Sequence, residues 1–139
     1  MPLGLERLVY ESRATGSTTS LLNLVAILGE SQRNNEREGL TGVLAAHGER
    51  FIQVVEGAPG SLDRLLRRLA QDPRHRDLTV LDRVAVTERM FGRWLMASAR
   101  IAPALAPALD ALMAEAVPSG ERVVALLHEA LKIQEAEVA

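Results

Sequence analysis

Arg50-Phe51-Ile52-Gln53-Val54-Val55-Glu56 reads as a β-strand packed on at least one face. Strand side chains alternate between faces, so Gln53 projects with Phe51 and Val55, in the apolar set. A buried amide without hydrogen-bond partners costs about 1–3 kcal/mol. Something polar is therefore expected inside the fold opposite Gln53. The chain has one Tyr and one Trp, and both lie in apolar segments that can reach this interior, Val9-Tyr10 and Trp94-Leu95-Met96. Hydrogen-bonding and redox-capable side chains around a concealed amide point to a ligand chamber.

Outward from this strand, Leu40–Ala46 is its hairpin partner through the turn His47-Gly48-Glu49. Leu5–Ser12 reads as a first strand, followed by a loop from Arg13 to Ser17. Thr18 or Thr19 can cap the next helix, which carries Leu21, Leu24, Val25 and Leu28 at one-face spacing and runs to about Arg37, where Gly39 closes it. After the loop Gly57–Gly60, Ser61 is the expected N-cap of a second helix with Leu62, Leu65, Leu66 and Leu69 on its core face. Asp72-Pro73 ends it. Strands follow at about Thr79–Val86 and Arg93–Ile101. The order βαββαββ predicts an α+β, ferredoxin-like fold: a mainly antiparallel sheet with two helices on one face. Ala104–Ala116 and Glu121–Ala136 add a C-terminal helical hairpin, expected on the free sheet face or on a partner chain.

Bulk properties exclude several classes. The 139 residues suit one domain with an appendage, at 47% hydrophobic and 24% charged content. A net charge of −2 argues against nucleic-acid binding, which needs a clustered positive surface. No apolar run approaches the ~18 residues of a membrane span. Met1-Pro2-Leu3-Gly4 is not the start of a signal peptide. Without cysteine there is no disulfide, thiolate metal site or cysteine nucleophile, and a cytoplasmic location is expected. Residues 102–139 hold two basic and six acidic groups, unlike the more basic remainder. That shift divides the chain into a main domain, 1–101, and an appendage, 102–139.

Asn34 and Asn35 extend the apolar stripe of the first helix, each seven positions beyond Ile27 and Leu28. Inward amides there can bind a heterocycle showing donors and acceptors; the alternative is capping at a fraying helix end. Arg68 and Asp72, four apart, share a face of the second helix, as a site pair or as an exposed ion pair. Tyr10, Trp94 and Met96 also suit an ordinary core. His47, His75 and His128 lack zinc-ligand spacing, and neither a dinucleotide fingerprint nor a Walker loop is present.

Six stretches together resemble the BLUF domains, sensors of blue light using flavin. They are Leu8–Ser12, Ser31–Asn35, Gly39–Gly42, Phe51–Gly57, Asp72–His75 and Arg89–Met96, in family order and spacing over roughly residues 5–100. The resemblance implies an FAD ring between the two helices, with FMN or riboflavin as alternatives because the family's contacts concentrate on the ring. It assigns Asn34, Asn35, Arg68, Asp72, Arg74 and His75 to flavin binding, and makes Gln53 the bridge between Tyr10 and the flavin. Tyr10, Gln53, Trp94 and Met96 then form a photochemical relay: Tyr10 gives an electron and proton, and Gln53 relays the proton and emerges rotated or tautomerised. The family's use of either Trp94 or Met96 against the flavin in the dark leaves that choice open.

The implied protein is a blue-light switch and not an enzyme, resembling the short stand-alone members that act on protein partners and form homo-oligomers. A light-insensitive ferredoxin-like flavin- or ligand-binding module is the alternative. A small hydrolase using the Arg13–Ser17 loop as an anion site is a third reading.

Overall fold

The computed structural model describes residues 4–14, 21–73 and 75–138. Its elements run β1 Glu6–Ala14, α1 Leu21–Glu38, β2 Thr41–His47, β3 Arg50–Gly57, α2 Pro59–Gln71, β4 His75–Ala85, β5 Ala97–Ser98, α3 Ala106–Met113 and α4 Gly120–Val138. The strands form one sheet in the order β4-β1-β3-β2-β5. Each neighbouring pair among β4, β1, β3 and β2 is antiparallel, and β5 is parallel to β2. This is the expected α+β, ferredoxin-like sheet with its hairpin.

Two apolar layers sandwich the sheet. On one face Leu8, Tyr10, Leu44, Phe51 and Val55 pack with Ile27 of α1 and with Leu62 and Leu65 of α2. On the other, Val9, Val43, Ile52 and Val54 pack with Leu109 of α3 and with Val123 and Leu127 of α4. The C-terminal hairpin therefore lies on the free sheet face. Where α4 begins, a Cβ on Gly120 would sit 2.2 Å from Asp82 Cβ, so only glycine permits this approach to β4.

Gly39 ends α1 at φ +69°, and Leu40 N donates to Asn35 O at 2.9 Å, the six-to-one bond of a Schellman closure. Several boundaries differ from expectation. The cap of α2 is Ala58 with no side-chain bond, because Pro59 already supplies the helical φ of the first turn; Ser61 lies inside the helix and accepts from Arg64 Nη2 at 3.1 Å. Val25 is more than half exposed, and Ile27 points inward instead. The caps Thr18 and Thr19 lie outside the described residues.

The last strand shrinks from the expected 93–101 to Ala97–Ser98. Upstream, the backbone carbonyls are held by non-ladder partners: Gly42 N reaches Trp94 O at 3.1 Å, Asn35 Nδ2 reaches Leu95 O, and Gln32 Nε2 reaches Met96 O at 3.1 Å. Among the described residues no helix is long and apolar enough to cross a membrane.

One buried carboxylate fixes the segment before this strand. Glu56 is fully enclosed, paired with Arg7 Nε at 2.8 Å, and accepts from Met90 N and Phe91 N, each at 2.8 Å. Arg89 braces the same turn through Glu56 O and Gly39 O, both at 2.9 Å. Removing the acid strands Arg7 and two backbone N–H groups. Glu56→Ala is expected to lower the unfolding free energy in urea by about 3 kcal/mol; a loss below about 1 kcal/mol would show that the turn holds itself.

Candidate flavin site

Register brings the two central polar groups together. Tyr10 and Gln53 are directly opposed on β1 and β3, with side chains on the α1/α2 face. Both are buried, and Tyr10 Oη donates to Gln53 Oε1. With its carbonyl turned to Tyr10, the amide presents its N–H₂ end elsewhere. Burial pushes the Tyr10 phenol far above its ordinary value; Arg68 opposes the shift and Asp72 adds to it. The phenol is therefore a neutral donor at neutral pH.

This pair lies at the sheet side of a cleft of about 460 Å³ walled by both helices. Asn34 and Asn35 enter from α1, Arg68 and Asp72 from α2 and its end, and Met96 from the segment before β5. Ile27 and the α2 residues Leu65 and Leu69 supply apolar walls. Asn35 is buried and engages Leu95 O, whereas Asn34 Oδ1 accepts from Arg37 Nη2 at 2.5 Å. Arg68 Nη1 lies 3.9 Å from Glu38, and its Nη2 is a buried donor without a hydrogen-bond partner.

The donor set fits a flavin ring. Apolar walls suit a planar heterocycle, and amides plus a guanidinium suit its polar rim. The orphaned Arg68 nitrogen is the kind of group that a bound acceptor satisfies. The volume falls in the ordinary range for small-molecule sites.

Of the ten residues named from sequence, the cleft gathers seven: Tyr10, Gln53, Met96, Asn34, Asn35, Arg68 and Asp72. Trp94 is not among its lining residues. It packs on the opposite core beside Phe91, ring centroids 6.5 Å apart, with the Arg93 guanidinium 5.1 Å from its ring centroid. A turn closed by Trp94 N to Phe91 O at 3.2 Å replaces the strand that alternation assumed, which accounts for this placement. Arg74 lies outside the described residues, as does the side chain of His75. Most of the proposed Arg13–Ser17 anion loop does too.

Sequence reasoning did not single out Glu30, Ser31 and Gln71, which also line the cleft. The signal was present for the first two: Ile27, Glu30, Ser31 and Asn34 repeat at three- and four-residue spacing.

Comparison with known proteins agrees with this geometry. The family model for sensors of blue-light using FAD matches residues 5–97. The photoactivated adenylate cyclase subunit beta of Euglena gracilis is 35% identical over 96 residues, covering 68% of this chain and 11% of that protein. The chain thus spans about a tenth of the length of such curated relatives. The dark-state structure of BlrB, a BLUF protein, is 33% identical with a TM-score of 0.78, covering 96% of this chain and 99% of that one. BlsA in its photo-activated state is 26% identical with a TM-score of 0.78, over 91% and 94% of the two chains. On the strength of the family match and of the Tyr10–Gln53 pair within it, this chain belongs to the BLUF family, the blue-light sensors using FAD.

Proposed function

We propose that this member of the blue-light sensor family holds its flavin ring between α1 and α2 and signals by reorienting the Gln53 amide. The buried Tyr10–Gln53 hydrogen bond beside the cleft carries this reading. Asn34, Asn35 and Arg68 hold the polar rim, Asp72 contributes from the end of α2, and Ile27, Leu65 and Leu69 hold the faces. Bound there, the flavin supplies a chromophore that absorbs blue light and becomes a strong oxidant.

The chain's own part is proton and amide chemistry. Tyr10 keeps its proton at Oη in the dark because burial disfavours phenolate. It is the electron and proton donor, and Gln53 Oε1 is already in place to receive the proton. A primary amide has an acceptor end and a donor end, so rotation exchanges which end meets Tyr10 and which meets the cleft. No substrate is consumed; the product is a changed hydrogen-bond pattern.

That change has a route outward. Met96 shares the cleft, and the Leu95 and Met96 carbonyls are tied to α1 by Asn35 and Gln32. Beyond β5, Gln134 of α4 donates to Ser98 O at 3.0 Å and accepts from Arg100 N at 2.8 Å. On this reading residues 1–101 are the photosensory part. Residues 102–139 receive the signal and present it to a protein partner or to a second copy.

The test is an absorption spectrum before and after blue light. The wild-type spectrum shifts slightly to the red and recovers in the dark, whereas Gln53→Leu keeps its flavin and shows no shift. A normal shift in that variant would sink the amide mechanism.

The Tyr10 shift has a definite sign. Its folded pKa is raised, so the associated stability is complete below about pH 10 and lost above it, as the unfolded phenol ionises. Between pH 10 and 11 the wild type should lose about 1 kcal/mol more unfolding free energy than Tyr10→Phe. Parallel losses would place the phenol in contact with water.

Gln134→Ala should retain the spectral shift but lose the light-dependent change in amide exchange along α4. An unaltered α4 response would remove Gln134 from the route.

A further inference from the structure

The outer edge of β5 is closed by a side chain. Ala99 N donates across to Leu44 O of β2 at 2.8 Å, so strand alternation points Ser98 O and Arg100 N away from the sheet. An open edge of this kind is a template for another strand. Here Gln134 of α4 takes both groups: its Nε2 donates to Ser98 O at 3.0 Å and its Oε1 accepts from Arg100 N at 2.8 Å. Bonding to the carbonyl of one residue and the N–H two residues on is what a residue of a parallel strand does. The Gln134 amide thus stands in for one residue of a further strand.

Charge follows the same arrangement. Glu137 accepts from Arg100 Nη2, and Arg93 Nη1 lies 3.7 Å from Glu135. Both carboxylates stand in the last turn of α4, which holds no basic residue, so they oppose the helix dipole. Their cationic partners flank β5 instead. Leu131 is the last buried residue of α4 among those described. The contacts that tie the helix to the sheet edge beyond it are polar and largely solvent-exposed. Such contacts are weak and open without uncovering the core.

We propose that the β5 edge, with Arg93 and Arg100, docks an extended acidic segment of a partner protein, and that the α4 tail covers it as a tethered stand-in. Control of this edge by light rests on the flavin switch proposed for the chain; the edge itself does not. Main-chain bonds along the edge give the partner affinity, and the two guanidiniums select carboxylate side chains. A second copy pairing β5 with β5 would set the same arginines against each other, which like charges disfavour. The tail competes at the high effective concentration of a tether, so the partner gains access when the few tail contacts loosen.

The test follows the fluorescence anisotropy of a peptide of alternating glutamate and valine, carrying a red-absorbing dye, against the full chain in the dark. Gln134→Ala combined with Glu135→Gln and Glu137→Gln should bind it about tenfold more tightly than the wild type, an advantage that shrinks as salt rises. Adding Arg93→Gln and Arg100→Gln should remove that gain, and a lysine–valine peptide should show none. N-methylating either the glutamates or the valines of the probe keeps its charge and removes alternate N–H groups. One of these two patterns should abolish binding and the other spare it. Circular dichroism confirms that each variant is folded.

No gain in the triple variant would overturn the docking edge, as would binding that survives both methylation patterns. Dimerisation of the triple variant without peptide, seen by sedimentation, would put a second copy in the partner's place and overturn it too. Blue light should raise the wild-type affinity for the probe. A gain in the triple variant with no such light response would uphold the edge and overturn its control by the flavin switch.

Discussion

A primary amide in the middle of β3, with apolar layers on both sides of the sheet, is the constraint around which this fold is arranged. Gln53 is satisfied by Tyr10 only because the two stand opposite one another on antiparallel strands. A slip of one residue would turn Tyr10 to the other face and leave the amide buried without it. The register is held on that other face. Arg7 and Glu56 are cross-strand partners joined by a salt bridge, and Arg50 reaches Glu11 at 2.9 Å. Between these charged rungs lie the apolar pairs Leu8–Val55 and Val9–Val54. Apolar pairs tolerate a slip, but two ion pairs at fixed positions do not, so the charged rungs specify what the apolar ones stabilise.

β3 therefore does two jobs three residues apart. Gln53 faces the cleft, while Glu56 faces the opposite layer and holds Met90 and Phe91. The turn that Glu56 fixes leads directly into Trp94, Leu95 and Met96. Phe91 also packs edge-on to His128 of α4, ring centroids 5.9 Å apart at 79°. One strand thus positions both the polar centre of the cleft and the start of the segment that leaves it.

Much of this was legible in the sequence because it follows from local periodicity. Period two placed Gln53 with Phe51 and Val55, and the seven-residue offsets from Ile27 and Leu28 put Asn34 and Asn35 on the cleft side of α1. What was not legible depends on groups distant in sequence. Residues 93–96 have strand-like composition, but Asn35, Gln32 and Gly42 take their carbonyls, and alternation fails where the ladder is absent. Trp94 and Met96, two apart, would share a face on a strand, whereas here Met96 lines the cleft and Trp94 packs in the other layer. Val25 fitted the helical stripe on paper, yet the stripe is set by what α1 covers, and α1 covers the sheet with Ile27. Glu38, at the end of α1, is the partner of Arg64 and lies 3.9 Å from Arg68, a contact between two helices that no local spacing predicts.

Under the proposed amide switch, the way β5 is held would let a change at one amide be felt beyond the sheet. Val43–Ala97 and Leu44–Ser98 pair it to β2, flanked by backbone bonds from Gly42 N to Trp94 O at 3.1 Å and from Ala99 N to Leu44 O at 2.8 Å. Beyond this short ladder its approach and exit are held by amide side chains: Asn35 and Gln32 on the Leu95 and Met96 carbonyls, and Gln134 on Ser98 and Arg100. Each neutral bond of this kind contributes about 1 kcal/mol net, and each is directional. A segment held by a few such bonds can shift at a cost close to that of one hydrogen bond, which is the scale that rotation of Gln53 can supply. The same rotation would be lost against β1 or β3, whose long antiparallel ladders would have to break together. Weak attachment at β5 and rigid attachment at β3 are therefore complementary: the first can move because the second cannot.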